Sequence, residues 1–296
     1  MSNDKISQAD LFLLERWQED SPLGTDAQRE QLFDEFVKLG LRGRVPYATQ
    51  LMQGRIQSRQ DLPAKSQQLL DRIGQSGVER AALHSIDYVC WLRTCYDPSS
   101  EEKWAEIEDR ILSLDPFKPG ICSDSVLFNY GSSWERIFTR LPQLVEIRMK
   151  PEEADEHERE SQDLLREALE EEASDPDRAI ENGYDPDEDA TPWQFFYSSY
   201  HMHQVVGRLQ IVDATTFASE GPDAGNVLLA FYDDCGRVVR YCREEFDHAV
   251  ELQGLSHFEL DDTTHWPTAS IGPAYDLGGP MGPPDLDSES NEESTD

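Results

Sequence analysis

Basic residues are what this chain most lacks: 26 Lys and Arg stand against 60 Asp and Glu in 296 residues, for a net charge of −34. A surface of that sign repels phosphate backbones and anionic headgroups, so direct contact with nucleic acid or with a membrane is not expected. Long apolar runs are missing too. Nothing approaches the roughly 18 residues that a membrane helix needs, and the opening MSNDKISQADLFLLERW has no basic leader ahead of an apolar stretch. A secretory signal is therefore not expected. Cysteine is sparse and odd in number, five in all, with no CxxC and no framework spacing. That excludes a zinc-ribbon pattern and fits a reducing compartment, so the expected location is cytoplasmic or nuclear.

Nucleophile and phosphate-binding motifs are missing as well. Gly74-Gln75-Ser76-Gly77 is one residue short of a GxSxG elbow, and Gly278, Gly279 and Gly282 lie among prolines with no helix to follow. Neither can build a nucleophile turn or a phosphate cradle. No catalytic residue, cofactor or metal is assigned on these grounds.

What is present is acid, unevenly placed. Residues 1–115 hold 20 acids and 14 bases, 116–150 hold 3 and 5, 151–190 hold 18 and 3, and 191–296 hold 19 and 4. Adaptation to bulk salt would load every surface, yet the first 150 residues sum to only −4. Discrete acidic segments are the better reading.

The first 150 residues read as helices. Ser7 caps one that carries Leu11 and Leu14, and Thr25 with Gln28 forms a capping box ahead of Phe33 and Phe36, with Gly40 as the stop. A short helix is expected after Pro46, and another from Pro63 through Leu70 and Ile73. Ser76 with Glu79 is a second box, opening a helix that would carry Val89, Cys90 and Leu92 up to Pro98. Ser100 opens one with Trp104, Ile107 and Ile111, and Ser132 with Glu135 is a third box before Ile137 and Phe138. Residues 151–173 follow as a charged helix whose apolar seam is Leu164, Leu165, Ala168 and Leu169. Residues 174–190 read as a disordered acidic linker.

The remainder changes character. Thr191, Pro192 and Gln194 signal a helix start, with Trp193, Phe196, Tyr197 and Tyr200 on one face. RLQIVD at 208–213 reads as a strand, and VLLAFY at 227–232 with RVVRYC at 237–242 reads as a hairpin turning through Asp233 to Gly236. A short strand is expected near Phe258 to Leu260, and residues 263–296 read as a disordered acidic tail. The expected fold class is α+β: a mainly helical N-terminal half, an acidic insert, and a small C-terminal module (191–262) with a helix and an antiparallel sheet, packed on the helical region.

Four features compete for a function. His201 and His203 would share a face on a strand but stand about 200° apart on a helix, so the helix signal removes them as a metal pair. Asp185, Asp187 and Asp189 open like a calcium loop, but Ala190 and Phe196 occupy the positions that need Gly and Glu. Arg240 alternates with Val239 and Tyr241 and so is expected to point away from the core; with Arg208, Arg237 and Arg243 it would form an anion strip on the hairpin unless neighbouring acids pair with them, which is the favoured reading. The acidic run Asp185, Asp187, Glu188 and Asp189, with Ser288 and Ser290 in acidic contexts that suit phosphorylation, points to electrostatic interaction. The expected function is an acidic adaptor or regulatory protein that binds a basic protein partner. The alternative is an enzyme with a site between the helical region and the aromatic-rich module, walled by Trp193, Tyr197, Tyr200 and His203.

Overall fold

The computed structural model describes residues 5–54, 56, 58–76, 79, 89–113, 120–147, 149–174, 196–252, 266 and 269–283. The chain is an α+β protein built on one mixed sheet. Among the described residues its helices are α1 (Gln8–Arg16), α2 (Thr25–Lys38), α3 (Gly40–Met52), α4 (Ala64–Ile73), α5 (Glu101–Ser113), α6 (Ser125–Phe128), α7 (Ile137–Arg140), α8 (Pro151–Ser174), α9 (Ser198–Gln204), α10 (Ala214–Phe217) and α11 (Phe246–Glu251). The strands are β1 (Val89–Arg93), β2 (Gly120–Cys122), β3 (Gly207–Val212), β4 (Val227–Tyr232), β5 (Val238–Glu244) and β6 (Ser270–Ile271), in the spatial order β2-β1-β3-β4-β5-β6.

Strand β1 corrects the reading of the first 150 residues as all helix. Val89, Cys90 and Leu92, expected on a helix, lie in a strand parallel to both β2 and β3. Cys90, Trp91 and Leu92 are all buried because helices cover both faces of the sheet. A strand of that kind has no polar face, so its run of apolar residues carries no alternation. The Ser76–Glu79 box is nonetheless made, with Ser76 N–H donating to Glu79 at 2.5 Å and Glu79 N–H donating to Ser76 Oγ at 3.3 Å.

On one face Cys90, Leu92, Leu209, Ile211 and Ala230 pack under Phe12 of α1, Phe33 and Phe36 of α2, Ile73 of α4 and Ile137 of α7. On the other, Trp91, Val212, Leu229 and Phe231 pack under Trp104 and Ile107 of α5, Ala168 of α8, Tyr200 of α9 and Val250 of α11. Ser7 caps α1 as expected, in a reciprocal box with Asp10. The boxes expected at Thr25–Gln28 and Ser132–Glu135 are not formed: α2 begins behind Gly24 without a side-chain cap, and Ser133 precedes a 3₁₀ turn without one. Pro46 lies inside α3 rather than ahead of a helix.

The hairpin is present, with Gly236 at φ +71° in its turn. Its register holds a correction. Phe231 pairs with Arg240 but Tyr232 pairs with Val238, so Val239 is an extra residue in β5. This bulge breaks the alternation that had placed Arg240 outward, and Arg240 is fully buried on the Phe231 side. Part of the expected tail is also folded. Strand β6 pairs with β5, Trp266 and Tyr275 are buried, and Tyr275 Oη donates to Asp233 at 2.7 Å. Residues 174–190 of the expected linker, apart from Ser174, the strand near Phe258 to Leu260, the helix start at Thr191 to Gln194, and residues 284–296 lie outside the described residues.

Candidate functional site

Helix α8 runs 24 residues from Pro151, with Glu152 and Glu153 in its first turn, where acids suit the helix dipole. It spans about 36 Å at 1.5 Å per residue. Its inner face is made of small or apolar residues at helical spacing. Ala154 and Ala168 are buried, and Leu164, Leu165 and Leu169 pack on the second core. Polar contacts complete the seat. Gln204 of α9 donates to Ser161 at 2.6 Å, Tyr197 Oη donates to Glu172 at 3.1 Å, and Arg42 of α3 pairs with Asp155 at 3.2 Å and also with Glu158. The rings of His157 and His203 stack with centroids 4.2 Å apart, and His203 Nε2 donates to the His157 carbonyl at 3.0 Å. Burial, and then the neighbouring His203, hold the His157 imidazole below its ordinary pKa.

The outer face is a line of carboxylates. Glu156, Glu160, Asp163, Glu167 and Glu170 are all exposed and follow one another by four, three, four and three residues, which keeps them on one stripe. Arg166 pairs with Asp163 at 2.7 Å and reaches Glu170 at 3.9 Å. Among the described residues, no ion pair falls on Glu156, Glu160 or Glu167. Like charges at these spacings oppose helix formation, and the Arg166 pairs offset this only at Asp163 and Glu170, so the helix relies on its seat.

The residues singled out from sequence fall in different places. Asp185, Asp187, Glu188, Asp189, Ser288, Ser290 and Trp193 lie outside the described residues. Tyr197 and Tyr200 are buried in the second core, and Tyr200 Oη donates to the Met281 carbonyl at 2.9 Å. Burial pushes the Tyr200 hydroxyl up to about 12. His203 sits against α8. Both histidines of the His201–His203 pair are on helix α9, His201 wholly inside and His203 at the α8 seam. Among the described residues, no group of three or more potential metal ligands comes together.

The four arginines make no strip. Arg237 pairs with Asp233 at 2.6 Å and Arg243 with Asp213 at 2.5 Å. Arg208 is buried and donates to the Leu252 carbonyl at 2.7 Å, and Arg240 donates to His201 Nδ1 at 3.0 Å. Cys235 is half-buried against Gly40, and burial with Asp234 and Asp233 beside it pushes its thiol up to about 12.

A cavity of about 400 Å³ was not anticipated. It lies between α2, the Ser76 and Glu79 side chains and the chain from α6 to α7, and its walls include Arg29, Phe33, Glu79, Tyr130, Arg136 and Arg140. Glu79 is 2% exposed and pairs with Arg140 at 3.1 Å. The one sequence signal for it is the positive balance of residues 116–150, which contribute Arg136 and Arg140. No family model, curated protein or solved structure matches this chain. Among the described residues, no helix is long and apolar enough to cross a membrane.

Proposed function

We propose that the protein is an intracellular interaction protein, an adaptor or regulator, that binds a basic protein partner along the outer face of α8. The observation that carries this reading is the stripe of five exposed carboxylates from Glu156 to Glu170 on a seated helix, with Arg166 pairing only Asp163 and Glu170. Mere solubility needs scattered charge, whereas a periodic row of carboxylates opposes its own helix and has its use when a complementary row neutralises it. The acidic run through Asp185, Asp187, Glu188 and Asp189 follows in sequence and extends the same charge, and phosphates on Ser288 and Ser290 would deepen the anionic character of the chain.

The mechanism is long-range attraction of a cationic surface, followed by register between a rigid acidic row and basic side chains at matching spacing. A labelled helical peptide with Arg at successive three- and four-residue steps is the probe. Binding should be saturable, weaken as salt rises, and weaken by about tenfold or more when Glu156, Glu160 and Glu167 are changed to Gln. Equal binding by a variant neutralised at these positions would remove the stripe from the account.

A further inference from the structure

The cavity beside α2 has a chemistry that the acidic helix does not use. Three guanidinium groups line it, in a protein with 26 basic residues and a net charge of −34. Arg29 gives Nη1 to the Gly74 carbonyl at 3.1 Å and Nη2 to Asp26 at 3.1 Å. Arg136 reaches Glu30 at 3.6 Å, and Arg140 is taken by Glu79. Each guanidinium carries five N–H donors, so these partners leave a surplus.

The lining acids do not cancel that surplus equally. Glu79 is locked, with one oxygen on Arg140 and the other on the Ser76 N–H. The Asp26 and Glu30 side chains are 88% and 60% exposed, and ion pairs at such exposure hold their partners weakly. Arg29 and Arg136 are therefore available to a better acceptor. The remaining wall is apolar or aromatic. Phe33 is buried there, Leu127 closes one side, and the Tyr130 ring lies beneath the Arg136 guanidinium at 5.5 Å.

We infer that this cavity is a binding site for a small phosphate monoester with an apolar body. The two available guanidiniums come from separate helical segments, Arg29 from α2 and Arg136 from the turn leading into α7. Such donors match a tetrahedral group with three terminal oxygens better than a carboxylate with two coplanar ones. Phe33, Leu127 and Tyr130 supply the surface for the apolar part, and 400 Å³ is within the range of small-molecule sites.

The test is titration calorimetry on the full chain with phenyl phosphate, inorganic phosphate, benzoate and benzyl alcohol as probes. The expected result is one-to-one binding of phenyl phosphate, weaker binding of inorganic phosphate and benzoate, and none of benzyl alcohol. Arg136→Gln should weaken phenyl phosphate by about tenfold without moving the thermal midpoint, because Arg136 is largely exposed. Leu127→Trp, which fills the apolar side, should weaken phenyl phosphate more than inorganic phosphate. Failure of phenyl phosphate to saturate at millimolar concentration would overturn the inference. So would benzoate binding as tightly, or Arg136→Gln binding as well as the natural chain.

Discussion

Arg240 donates its Nε–H to His201 Nδ1 at 3.0 Å, and both side chains are fully buried between the sheet and α9. An imidazole nitrogen that accepts cannot carry a proton, so His201 is the neutral tautomer protonated at Nε2. Tyr197, Tyr200 and Tyr275 surround the ring, with centroids 5.6 to 6.2 Å away. Burial, then the Arg240 charge, hold the imidazole well below its ordinary value of 6.5.

Below pH 6.5 the unfolded chain takes up a proton at His201 that the folded chain refuses, so stability is full above that pH and falls as pH drops beneath it. The slope is up to about 1.4 kcal/mol per pH unit. His201→Gln, whose amide oxygen can accept from Arg240, should flatten the decline between pH 6.5 and 5. Denaturant titrations across that range check it, and identical slopes for both proteins would contradict the assignment.

Glu146 predicts the opposite trend. Its carboxyl accepts the Ala9 N–H at 2.9 Å, and burial, with Asp10 nearby, pushes it up to about 8 against an ordinary value of 4.5. The folded state therefore keeps a proton that the unfolded state releases, and stability is lost as pH rises from 4.5 towards 8. Glu146→Gln preserves the acceptor and should match the natural protein near pH 5 but melt at a higher temperature at pH 8. Thermal melts at the two pH values distinguish the cases.

The sheet joins the two halves of the chain, because β1 is hydrogen-bonded between β2 and β3. Ile211 of β3, paired with Leu92 of β1, is fully buried. Ile211→Ala should cost about 3 kcal/mol and shift the unfolding of the N-terminal helices and the hairpin together. Fluorescence and far-ultraviolet circular dichroism should give coincident transitions; separated transitions would show that the halves unfold independently.

The stripe on α8 should cost the free protein stability. Glu160 and Glu167 each neighbour two other stripe acids, so changing both to Gln removes all four like-charge pairs. The double variant should melt a few degrees higher at low salt, and the gap should close as salt screens the repulsion. A lower melting temperature would mean that these carboxylates support the fold.

The places where sequence reading stopped have specific causes. Helices with caps and a polar side were legible, as at Ser7 and along 151–173. Strand β1 was not, because Cys90, Trp91 and Leu92 are buried on both faces and show no period of two. Arg240 was misplaced by a one-residue bulge that no local pattern announces. Residues 269–283 looked disordered for their Pro and Gly, yet there glycine permits contact: a Cβ on Gly272 would run into the Val238 carbonyl, and one on Gly282 into that of Asp276. The acids of α8 and its apolar seam at Leu164, Leu165, Ala168 and Leu169 were visible, but the polar half of its seat was not, since His203, Gln204 and Arg42 come from distant segments. The cavity needs side chains from α2, Ser76, Glu79 and the segment from Leu127 to Arg140, which only the fold assembles.

The most direct test of the central claim is affinity capture from a cell extract with three forms of the full chain. One is the natural protein, one has Glu156, Glu160, Asp163, Glu167 and Glu170 neutralised, and one has Asp20, Glu35, Glu102, Glu106 and Asp109 neutralised. The second and third lose the same charge, but only the second loses the stripe. The account predicts that basic proteins held by the natural form are released by salt, are lost from the stripe variant and are kept by the control. Equal retention by all three, or equal loss from both variants, would contradict it.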